Sequence, residues 1–443
     1  MNSVSKLATT SAVLPTLILL ILGGGQIFIW LHLSSHPSLK PFIPETIALL
    51  LAAGLLYVIA AYIVERRSLG WPALIVILAA ALGFRFLALS IEPALSTDVY
   101  RYQWEGRVQR VGVNPFAVHP DALKHLQLED PAHPLTTGRT TPTLYPPLSE
   151  WSFSWVKTIP GYKRLYTGLD AASIAVLLLL LKIRKQPLTR VLMYAWNPGV
   201  VVAFAMCGHH DSLAILALLA ANYYIIRQQG AVSISFLALS FLSKLFAGLL
   251  LPVFLVRTRR SLTILFATVV VVGFMPYASA GPHLLDGLAQ YAAGWENNDS
   301  LFRLFLLAGN SKAQAGLISG IFLTALLVYA LKRRLEPLHA GLVLMTGLLL
   351  LSPNAFPWYF TWMIPFLCFD AHPALLLISI TSVLGYSPMV SYLAGGQYAD
   401  SPLILALEYV PVLTWLCLSA ARENRNSKTE TRENPNPEHP ALA

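Results

Sequence analysis

Long apolar stretches recur along most of this chain of 443 residues. Each is about twenty residues long and carries few or no charged side chains, which is the length that an α-helix needs to cross a bilayer. Hydrophobic residues make up 56% of the chain and charged residues only 12%. A water-soluble fold of this size would carry more charge. The sequence therefore predicts an all-α fold, a polytopic membrane bundle of about 12–14 helices.

The predicted spans cover most of the chain. The first span is longer than the apolar core of a signal peptide, so we expect it to remain in the protein. One further apolar segment, 232–256, is interrupted at its centre by Lys244. The spans are predicted at 13–33, 42–63, 71–91, 165–181, 191–206, 211–226, 261–279, 313–331, 337–352, 358–370, 373–392 and 403–421.

Basic side chains between the spans indicate the orientation of the bundle. Short loops rich in Lys and Arg usually stay in the cytoplasm. If segment 232–256 crossed the membrane once, Arg227 and Arg257 would lie on opposite sides. Two half-length helices that meet at Ser243 and Lys244 keep both arginines inside and carry the lysine towards the outer face. The basic loops contain Arg66, Arg67, Lys182, Arg184, Lys185, Arg190, Arg257, Arg259, Arg260, Lys332, Arg333 and Arg334.

This topology leaves a long polar loop, 92–164, outside the membrane. Two parts of the loop have helical patterns. One is Val99–Val111, and the other is a short segment in which Trp151 and Trp155 lie four residues apart and share one face. Aromatic faces of this kind suit helices that lie in the membrane interface. We therefore expect residues 1–421 to form one membrane domain with interfacial helices in its long extracytoplasmic loop.

Charge and cysteine content exclude several functional classes. The formal net charge is +9, but the basic residues lie mostly in short loops, so topology explains them and no nucleic-acid partner is expected. The three cysteines are isolated and form no CxxC pair, which argues against a zinc ribbon or a thiol redox site. Residues 422–443 mix acidic and basic side chains with prolines and are predicted to form a disordered cytoplasmic tail.

Asp98 stands just outside the third apolar span, in the run Ser96-Thr97-Asp98 before a helical segment. A carboxylate at a membrane surface among Tyr, Trp and Arg side chains can act as a general base on a hydroxyl group. The same Ser-Thr-Asp order is also typical of a helix N-cap. The residues alone leave both interpretations open.

Two further clusters on the predicted outer face carry polar side chains. Gly208-His209-His210-Asp211 can be a metal site, a group that binds phosphate or sugar, or simply a helix end followed by a cap. Adjacent histidines do not share a helix face, so a metal ion is not favoured. Lys244 can pair with a lipid phosphate, or it can be a lysine that snorkels to the interface.

Two outer segments combine aromatic, amide and proline residues. They are Trp295–Ser300 and Ser352–Tyr359. Sugars are bound by aromatic faces together with amides and carboxylates, so both segments suit a glycan site. An aromatic belt at the membrane interface is the alternative for Trp358 and its neighbours.

Taken together, these segments resemble the GT-C superfamily of membrane glycosyltransferases. Within it, they are most similar to the bacterial polyprenyl-phosphate-mannose-dependent mannosyltransferase-like proteins. The chain departs from that pattern at Thr97, His210 and Asn297, so the identity of the sugar stays open. The motifs that carry the resemblance are Asp98-Val99-Tyr100-Arg101-Tyr102, Trp104-Glu105-Gly106-Arg107, Gly112-Val113-Asn114-Pro115, Tyr145-Pro146-Pro147-Leu148, Trp196-Asn197-Pro198, Gly208-His209-His210-Asp211, Lys244-Leu245-Phe246, Trp295 to Phe302 and Pro353 to Tyr359.

The resemblance implies an inverting glycosyltransferase of the plasma membrane with an extracytoplasmic active site. It would move a hexose, with mannose favoured, from a polyprenyl-phosphate donor to a lipid-linked or envelope glycan acceptor. The implied catalytic base is Asp98, and no metal ligand is assigned, although a requirement for a divalent cation stays open. The implied donor-phosphate ligands are Lys244, His209 and Arg101, and the implied sugar or acceptor ligands are Tyr102, Trp104, Glu105, Asp211, Trp295, Asn298 and Trp358.

A flippase or transporter of lipid-linked sugars is the alternative from another functional class. Such a protein needs charged groups deep in the bundle and alternating access to them. The charged residues of this chain are expected to gather at one face instead, which favours the enzyme.

Overall fold

A computed structural model describes the backbone of residues 2–122 and 135–433, with side chains over 13–122 and 135–422. Their regular structure is helical, which confirms the predicted all-α fold. Short 3₁₀ turns join several of the helices. The α-helices are α1 (Asn2–Ser35), α2 (Ile43–Arg66), α3 (Trp71–Ala88), α4 (Asp98–Arg110), α5 (Pro147–Trp155), α6 (Ile159–Ile183), α7 (Leu192–Ala195), α8 (Pro198–Val201), α9 (Asp211–Ile226), α10 (Gly230–Ser243), α11 (Leu251–Leu255), α12 (Leu262–Phe274), α13 (Asp286–Gly294), α14 (Leu301–Leu307), α15 (Lys312–Lys332), α16 (Pro337–Leu351), α17 (Pro373–Thr381), α18 (Pro388–Leu393) and α19 (Pro402–Glu433).

Eight of the described helical segments are long and apolar enough to cross a membrane, or up to nine if a bent pair counts as one span. Each overlaps a predicted span, although Leu262–Gly294 continues well beyond the predicted end at 279. The chain is therefore a multi-pass membrane protein. The shorter apolar helices α9, α10 and α16 complete the bundle. The eight segments are Val13–Ser35, Lys40–Arg66, Trp71–Ala88, Ile159–Ile183, Leu262–Gly294, Lys312–Lys332, Pro373–Leu393 and Pro402–Arg422.

Close helix packing depends on small residues, as is usual in membrane bundles. α1 packs against α2 and α3, while α9 packs against both α6 and α10. A side chain at Gly54 would overlap Ile380, and one at Gly341 would overlap Phe366. These two glycines therefore let α2 and α16 approach the carboxyl-terminal part of the bundle.

The predicted span 191–206 is not one straight helix. Leu188–Ala195 and Pro198–Met206 meet at an angle of 61°. The break lies at Asn197, whose side chain accepts a hydrogen bond from the backbone N–H of Val200 and so caps the second half. Proline at the first position of that half fixes the backbone for a new helix start.

The predicted span 358–370 also differs from a regular transmembrane helix. It consists of two 3₁₀ helices, Pro357–Trp362 and Ile364–Cys368. Each has a proline in its first turn, which lacks an N–H to continue an α-helical hydrogen-bond series. Apolar composition correctly indicated a buried segment here but not its local geometry.

The segment around Lys244 folds back on itself, as predicted. α10 ends before Lys244, whose backbone is extended, and a 3₁₀ turn then leads into α11. The far ends of the two halves meet, because a Cβ at Gly230 would lie 3.1 Å from Cγ2 of Thr258. Phe241 packs in the same way against Gly248 beside the turn. The hairpin therefore begins and ends at one end of the bundle and holds Lys244 at the other.

Both helices predicted within the loop 92–164 are present as α4 and α5. They pack closely because Gly106 has no side chain. A Cβ at this position would overlap the carbonyl oxygen of Phe153. α6 begins at Ile159, earlier than the predicted span, because the Thr158 side chain accepts a hydrogen bond from the Gly161 N–H and caps the helix.

The terminal helix continues beyond the last predicted span. α19 runs to Glu433, so residues 422–433 are helical where a disordered tail is predicted. Residues 434–443 lie outside the described residues. The division into a membrane domain and a tail stays a prediction.

Two charged side chains are buried inside predicted spans, Arg85 in α3 and Asp170 in α6. Nε of Arg85 lies 2.5 Å from Oδ2 of Asp170, and Nη1 of Arg85 donates to the carbonyl oxygen of Ala195 at 2.8 Å. The expectation that charged residues gather at only one face is therefore wrong. A paired charge whose donors are satisfied can lie inside a membrane bundle, where this pair ties α3 to α6.

Candidate active site

Asp98 is the first residue of α4, and its carboxylate faces Thr137 and His209. Thr97 occupies the N-cap position, and its side chain makes no capping hydrogen bond. The backbone N–H of Asp98 donates to Oγ of Ser96 at 3.3 Å. The alternative that Asp98 is an N-cap is therefore wrong. Instead, Oγ1 of Thr137 donates to Oδ1 of Asp98 at 3.4 Å, and Nδ1 of His209 lies 3.9 Å from Oδ2.

Asp98 is largely withdrawn from solvent, with 21% of its side chain exposed. Burial raises the pKa of the Asp98 carboxyl to about 6, against opposing effects from Lys244, Thr137 and Arg101 and a further increase from Asp211. Such a group is ionised at neutral pH and still basic enough to accept a proton from a hydroxyl in a transition state. Its environment therefore suits a general base.

His209 belongs to an aromatic stack beside this carboxylate. Its ring stacks on Trp358 with centroids 4.2 Å apart, and Trp358 stacks on Phe356 at 4.5 Å. Nδ1 of His209 also lies 3.3 Å from the Tyr102 hydroxyl. Burial and the nearby Lys244 lower the pKa of His209 well below its usual value. The imidazole is therefore neutral at physiological pH and contributes hydrogen bonds rather than charge.

His210 occupies a different environment from its neighbour. Its ring lies edge-on to Tyr102, Tyr145 and Phe153, with centroids 5.1, 5.0 and 5.4 Å away. The His209 ring instead stacks on Trp358. Because the two imidazoles lie in separate surroundings, they do not converge on one ion. The geometry gives no support to a metal site in this motif.

Lys244 is fixed by a buried carboxylate and two aromatic rings. Its Nζ lies 3.1 Å from Oδ1 of Asp211, which is completely buried. Nε1 of Trp362 donates to the same oxygen at 2.7 Å. The ammonium also lies 4.9 Å from the centre of the Tyr359 ring, within cation–π range. A snorkelling side chain would extend freely to the interface, so that alternative does not describe Lys244.

Arg101 is committed to contacts within the protein. Its Nε donates to Oε1 of Glu105 at 2.8 Å. Nη1 donates to the carbonyl oxygen of Gly138 at 2.6 Å, and Nη2 to that of Thr141 at 2.9 Å. The guanidinium therefore holds the loop beside Asp98. Its place among the donor-phosphate ligands stays a prediction, although most of its N–H groups already have partners within the protein.

Two cavities approach Asp98 from different sides. The apolar groove has a volume of about 430 Å³ and the polar cavity about 500 Å³. Residues that line the apolar groove include Leu245, Phe246, Leu249, Leu323, Leu348 and Trp362. Residues that line the polar cavity include Ser96, Thr97, Glu296, Asn297, Trp358 and Tyr398.

A third, small cavity of about 60 Å³, here called the junction, shares lining residues with both of them. Asp98 lines both the junction and the polar cavity, and Lys244 lines both the junction and the apolar groove. Trp295 lines all three spaces. The carboxylate and the ammonium thus line one small space that borders both the apolar groove and the more polar cavity.

The structure separates the predicted site residues into those in the cavity walls and those behind them. His209 lies behind Trp358 but within reach of Asp98. Cavity walls include Asp98, Lys244, Arg101, Glu105, Trp295 and Trp358. Tyr102, Trp104, Asp211 and Asn298 are buried and belong to none of these three walls. The contact of these four residues with a sugar stays a prediction, and in this structure they lie behind the cavity walls.

Asn298 shows how the side chain of a predicted site residue is held inside the protein. Its Nδ2 donates to the carbonyl oxygen of Ala355 at 3.0 Å and to Oε1 of Glu408 at 2.9 Å. The preceding residue, Asn297, lines the polar cavity instead. The backbone of Asn297 pairs with that of 353–355, so the two aromatic outer segments predicted from sequence lie side by side.

Sequence reasoning did not assign roles to three tyrosines of the site. Tyr145, Tyr291 and Tyr359 line both the apolar groove and the junction. The hydroxyl oxygens of Tyr291 and Tyr359 lie 3.0 Å apart. Tyr145 and Tyr359 lie in segments singled out from the sequence, but neither residue is assigned a role there, and Tyr291 lies in no such segment. Tyrosines at span ends are equally typical of an aromatic belt.

Comparisons with known families agree with this architecture. Residues 22–260 match the family described as "Alpha-(1->6)-mannopyranosyltransferase, N-terminal domain", and residues 306–420 match the "MptB C-terminal domain". The first match spans more than half of the chain and contains Asp98 and Lys244. No curated protein matches the chain. The resemblance to membrane mannosyltransferases is confirmed, and the chain belongs to the alpha-(1->6)-mannopyranosyltransferase family.

Proposed function

We propose that this membrane mannosyltransferase moves mannose from a polyprenyl-phosphate donor to a lipid-linked or envelope glycan, with inversion at the anomeric carbon. Family membership supports the transfer of mannose and favours an enzyme over a flippase. The observation that carries the finer proposal is the junction, where Asp98 and Lys244 line one space between an apolar and a polar compartment.

The apolar groove supports a lipid-linked donor. Its walls are mostly leucine and aromatic side chains, which suit a hydrocarbon chain, and Lys244 belongs to the part that adjoins the junction. A polyprenyl phosphate combines a hydrocarbon chain with an anionic group in this order. In the proposed complex, the chain occupies the groove and the ammonium contacts the phosphate.

The reaction we propose is a single displacement. Asp98 accepts the proton of the acceptor hydroxyl while its oxygen forms a bond to the anomeric carbon. The bond from that carbon to the phosphate oxygen breaks, and the electron pair leaves with the phosphate. Lys244 offsets the negative charge that develops there. In this arrangement Asp98 acts on the attacking hydroxyl and Lys244 on the leaving phosphate. Attack and departure on opposite sides of the anomeric carbon give inversion.

The remaining polar groups support this assignment by position. Nδ1 of the neutral His209 contacts the Tyr102 hydroxyl at 3.3 Å and lies 3.9 Å from Asp98, so the imidazole packs beside the carboxylate without a direct hydrogen bond to it. Asp211 holds Lys244 through a direct ion pair. Trp295, which is 38% exposed, offers an aromatic face to a sugar ring, and Asn297 offers an amide. Trp358 lies in the wall of the polar cavity, where its ring stacks on His209 and Phe356.

We also propose that the junction faces the extracytoplasmic side of the plasma membrane. The hairpin of α10 and α11 carries Lys244 at one end and leaves Arg227 and Arg257 at the other. Short basic loops favour the cytoplasm. A donor carried by a membrane lipid could reach such a site without a nucleotide.

The proposal is tested with protein reconstituted in nanodiscs and an alkyl α-mannoside as acceptor. We expect product with polyprenyl-phosphate mannose and none with nucleotide-linked mannose. Comparing the anomeric configuration of donor and product by NMR tests inversion. Transfer from the nucleotide sugar alone would overturn the donor assignment, and retained configuration would overturn the single displacement.

Filling the groove tests the lipid site separately. Leu323→Trp places a bulky ring in the groove and should raise the KM for a long-chain donor more than for a short-chain donor. Leu317→Trp is the matched control, because Leu317 lies on the same helix but is 67% exposed on its outer side. Equal effects of both variants on both donors would count against the groove as the lipid site.

A further inference from the structure

Three metal-binding side chains gather where α1 passes into α2. His32 is in the last turn of α1, His36 follows that helix, and Glu45 is in the first turn of α2. One ligand atom from each side chain lies within 4.8 Å of the other two. The chain thus brings two imidazoles and a carboxylate from different elements to one point.

The hydrogen bonding of His36 leaves one ring nitrogen ready to bind a cation. Its Nδ1 lies 3.0 Å from the carbonyl oxygen of His32. A carbonyl oxygen only accepts, so Nδ1 carries the proton and Nε2 keeps a free lone pair. Metal-binding histidines are commonly oriented by such a bond from their other nitrogen. The edge of the Phe42 ring packs against the same imidazole, with centroids 4.8 Å apart.

His32 and Glu45 are hydrogen-bonded to each other, at a separation close to that of two ligands of one ion. Nε2 of His32 lies 3.0 Å from Oε1 of Glu45. Two ligands bonded at about 2.0–2.1 Å in a tetrahedral zinc site lie about 3.3 Å apart. The side chains of His32 and Glu45 are 41% and 47% exposed. Solvent therefore gives an entering ion a path and can supply a further ligand.

We propose that His32, His36 and Glu45 bind Zn²⁺, with water at the fourth position. Two imidazoles and one carboxylate form a ligand set that suits zinc, whereas Mg²⁺ and Ca²⁺ prefer oxygen ligands. The ion would join the end of α1 to the start of α2.

This zinc site is separate from the sugar-transfer residues, but it is connected to the same end of the bundle. Ser38, in the connection between α1 and α2, donates a hydrogen bond to the carboxylate of Glu92. Glu92 precedes Asp98 in the segment that follows α3. A bound ion would therefore brace the connection against which this segment rests. The inference does not depend on the proposed reaction.

Zinc binding is tested with full-length protein that carries no polyhistidine tag. After dialysis against a chelator, titration with ZnCl₂ by calorimetry should show one equivalent bound. His36→Ala and Glu45→Gln should each weaken binding by at least about tenfold. Failure of the wild-type protein to bind Zn²⁺, or equal binding by wild type and both variants, would overturn the proposal.

His283→Ala is the matched control for these variants. Nδ1 of His283 lies 2.8 Å from Asp286 in another exposed histidine–carboxylate pair, but among the described residues no further such ligand joins it. We expect His283→Ala to bind Zn²⁺ like the wild type. A loss equal to that of His36→Ala would show nonspecific surface binding and overturn the site.

Cobalt substitution gives a second readout that does not use activity. Co²⁺ at an N₂O site should give a visible absorption spectrum, which His36→Ala should abolish and Asp98→Asn should leave intact. If Asp98→Asn removed the spectrum while His36→Ala kept it, the ion would belong to the sugar-transfer site and the proposed ligands would be wrong.

Discussion

Nζ of Lys244 and Oδ1 of Asp211 form an ion pair 3.1 Å long that joins the turn of the α10–α11 hairpin to the first residue of α9. The carboxylate is completely buried, and Trp362 donates a hydrogen bond to the same oxygen. The pair therefore fixes a cation at the junction without leaving either charge unpartnered in the bundle.

Loss of Lys244 should affect both stability and donor use. Lys244→Ala leaves the Asp211 carboxylate buried without its cation, which typically costs about 3–5 kcal/mol. We expect a lower melting temperature in detergent and loss of transfer. Asp211→Ala combined with Lys244→Ala should restore most of the melting temperature but no activity. Recovery of activity in the double variant would contradict the phosphate-binding role.

Asp98→Asn should abolish transfer without unfolding the protein. The amide keeps the size of the side chain but cannot accept a proton, and a general base contributes about 10²–10⁴-fold. Initial rates of purified wild type and variant give the comparison, with the melting temperature as a folding control. Near-normal turnover by a folded Asp98→Asn protein would remove this residue from the proposed mechanism.

The pH dependence of kcat/KM should report the ionisation of Asp98. Its pKa of about 6 predicts that the rate rises as pH increases through 6, because only the ionised carboxylate accepts a proton. Thr137 donates to this carboxylate and lowers its pKa. Thr137→Val should therefore move the rising limb to higher pH, by no more than about one unit.

A substitution near Thr137 controls for general effects of changing this loop on the pH dependence of kcat/KM. Thr140→Val changes an exposed threonine in the same loop and should leave the pH limb in place. An identical limb for wild type and Thr137→Val would show that another group titrates.

Arg101→Lys distinguishes loop positioning from phosphate binding. Lysine cannot reproduce the planar fork that reaches Glu105, Gly138 and Thr141 together. A displaced loop should lower kcat by about 10²-fold while the donor KM stays nearly constant. A large increase in donor KM with normal kcat would instead show that Arg101 binds the donor phosphate. Donor dependence of initial rates separates the two outcomes.

The proposed topology predicts which introduced cysteines a membrane-impermeant maleimide reaches from outside. Ser243 at the apex is buried and therefore unsuitable. Val111→Cys, at a position that is 57% exposed, should react in sealed cells that lack the three native cysteines. Gln228→Cys and Arg259→Cys, both at exposed positions beyond the hairpin, should react only after lysis. Reaction of just one of these two before lysis would contradict the re-entrant hairpin.

Features set by local chemistry were predictable from the sequence. Apolar length indicated the spans, and the distribution of basic loops indicated the fold-back at Lys244. The helical pattern after Asp98 corresponds to α4. Each of these depends on residues close together in the chain or on a property that adds up along a segment.

Features set by distant pairing were not predictable from one sequence. Arg85 and Asp170 lie in separate spans, and neither carries a local sign of its partner. The sequence also does not indicate which of two adjacent residues faces a cavity. Asn298 adopts a positive φ of 51°, a conformation uncommon outside glycine that asparagine tolerates best. That backbone helps decide that Asn297, not its neighbour, lines the polar cavity.

Enzymes that handle an activated sugar can lose the donor to hydrolysis by water. The small size of the junction limits how much water can reach the donor. Its volume of about 60 Å³ holds only a few water molecules, and Trp295 and Tyr359 form part of its wall. A mannosyl group that enters would displace them before Asp98 has an acceptor hydroxyl to deprotonate. An acceptor in the polar cavity, which Asp98 also lines, would displace water from the other side of the base. Productive transfer would then be favoured over futile hydrolysis, because the two substrates together fill the space beside Asp98.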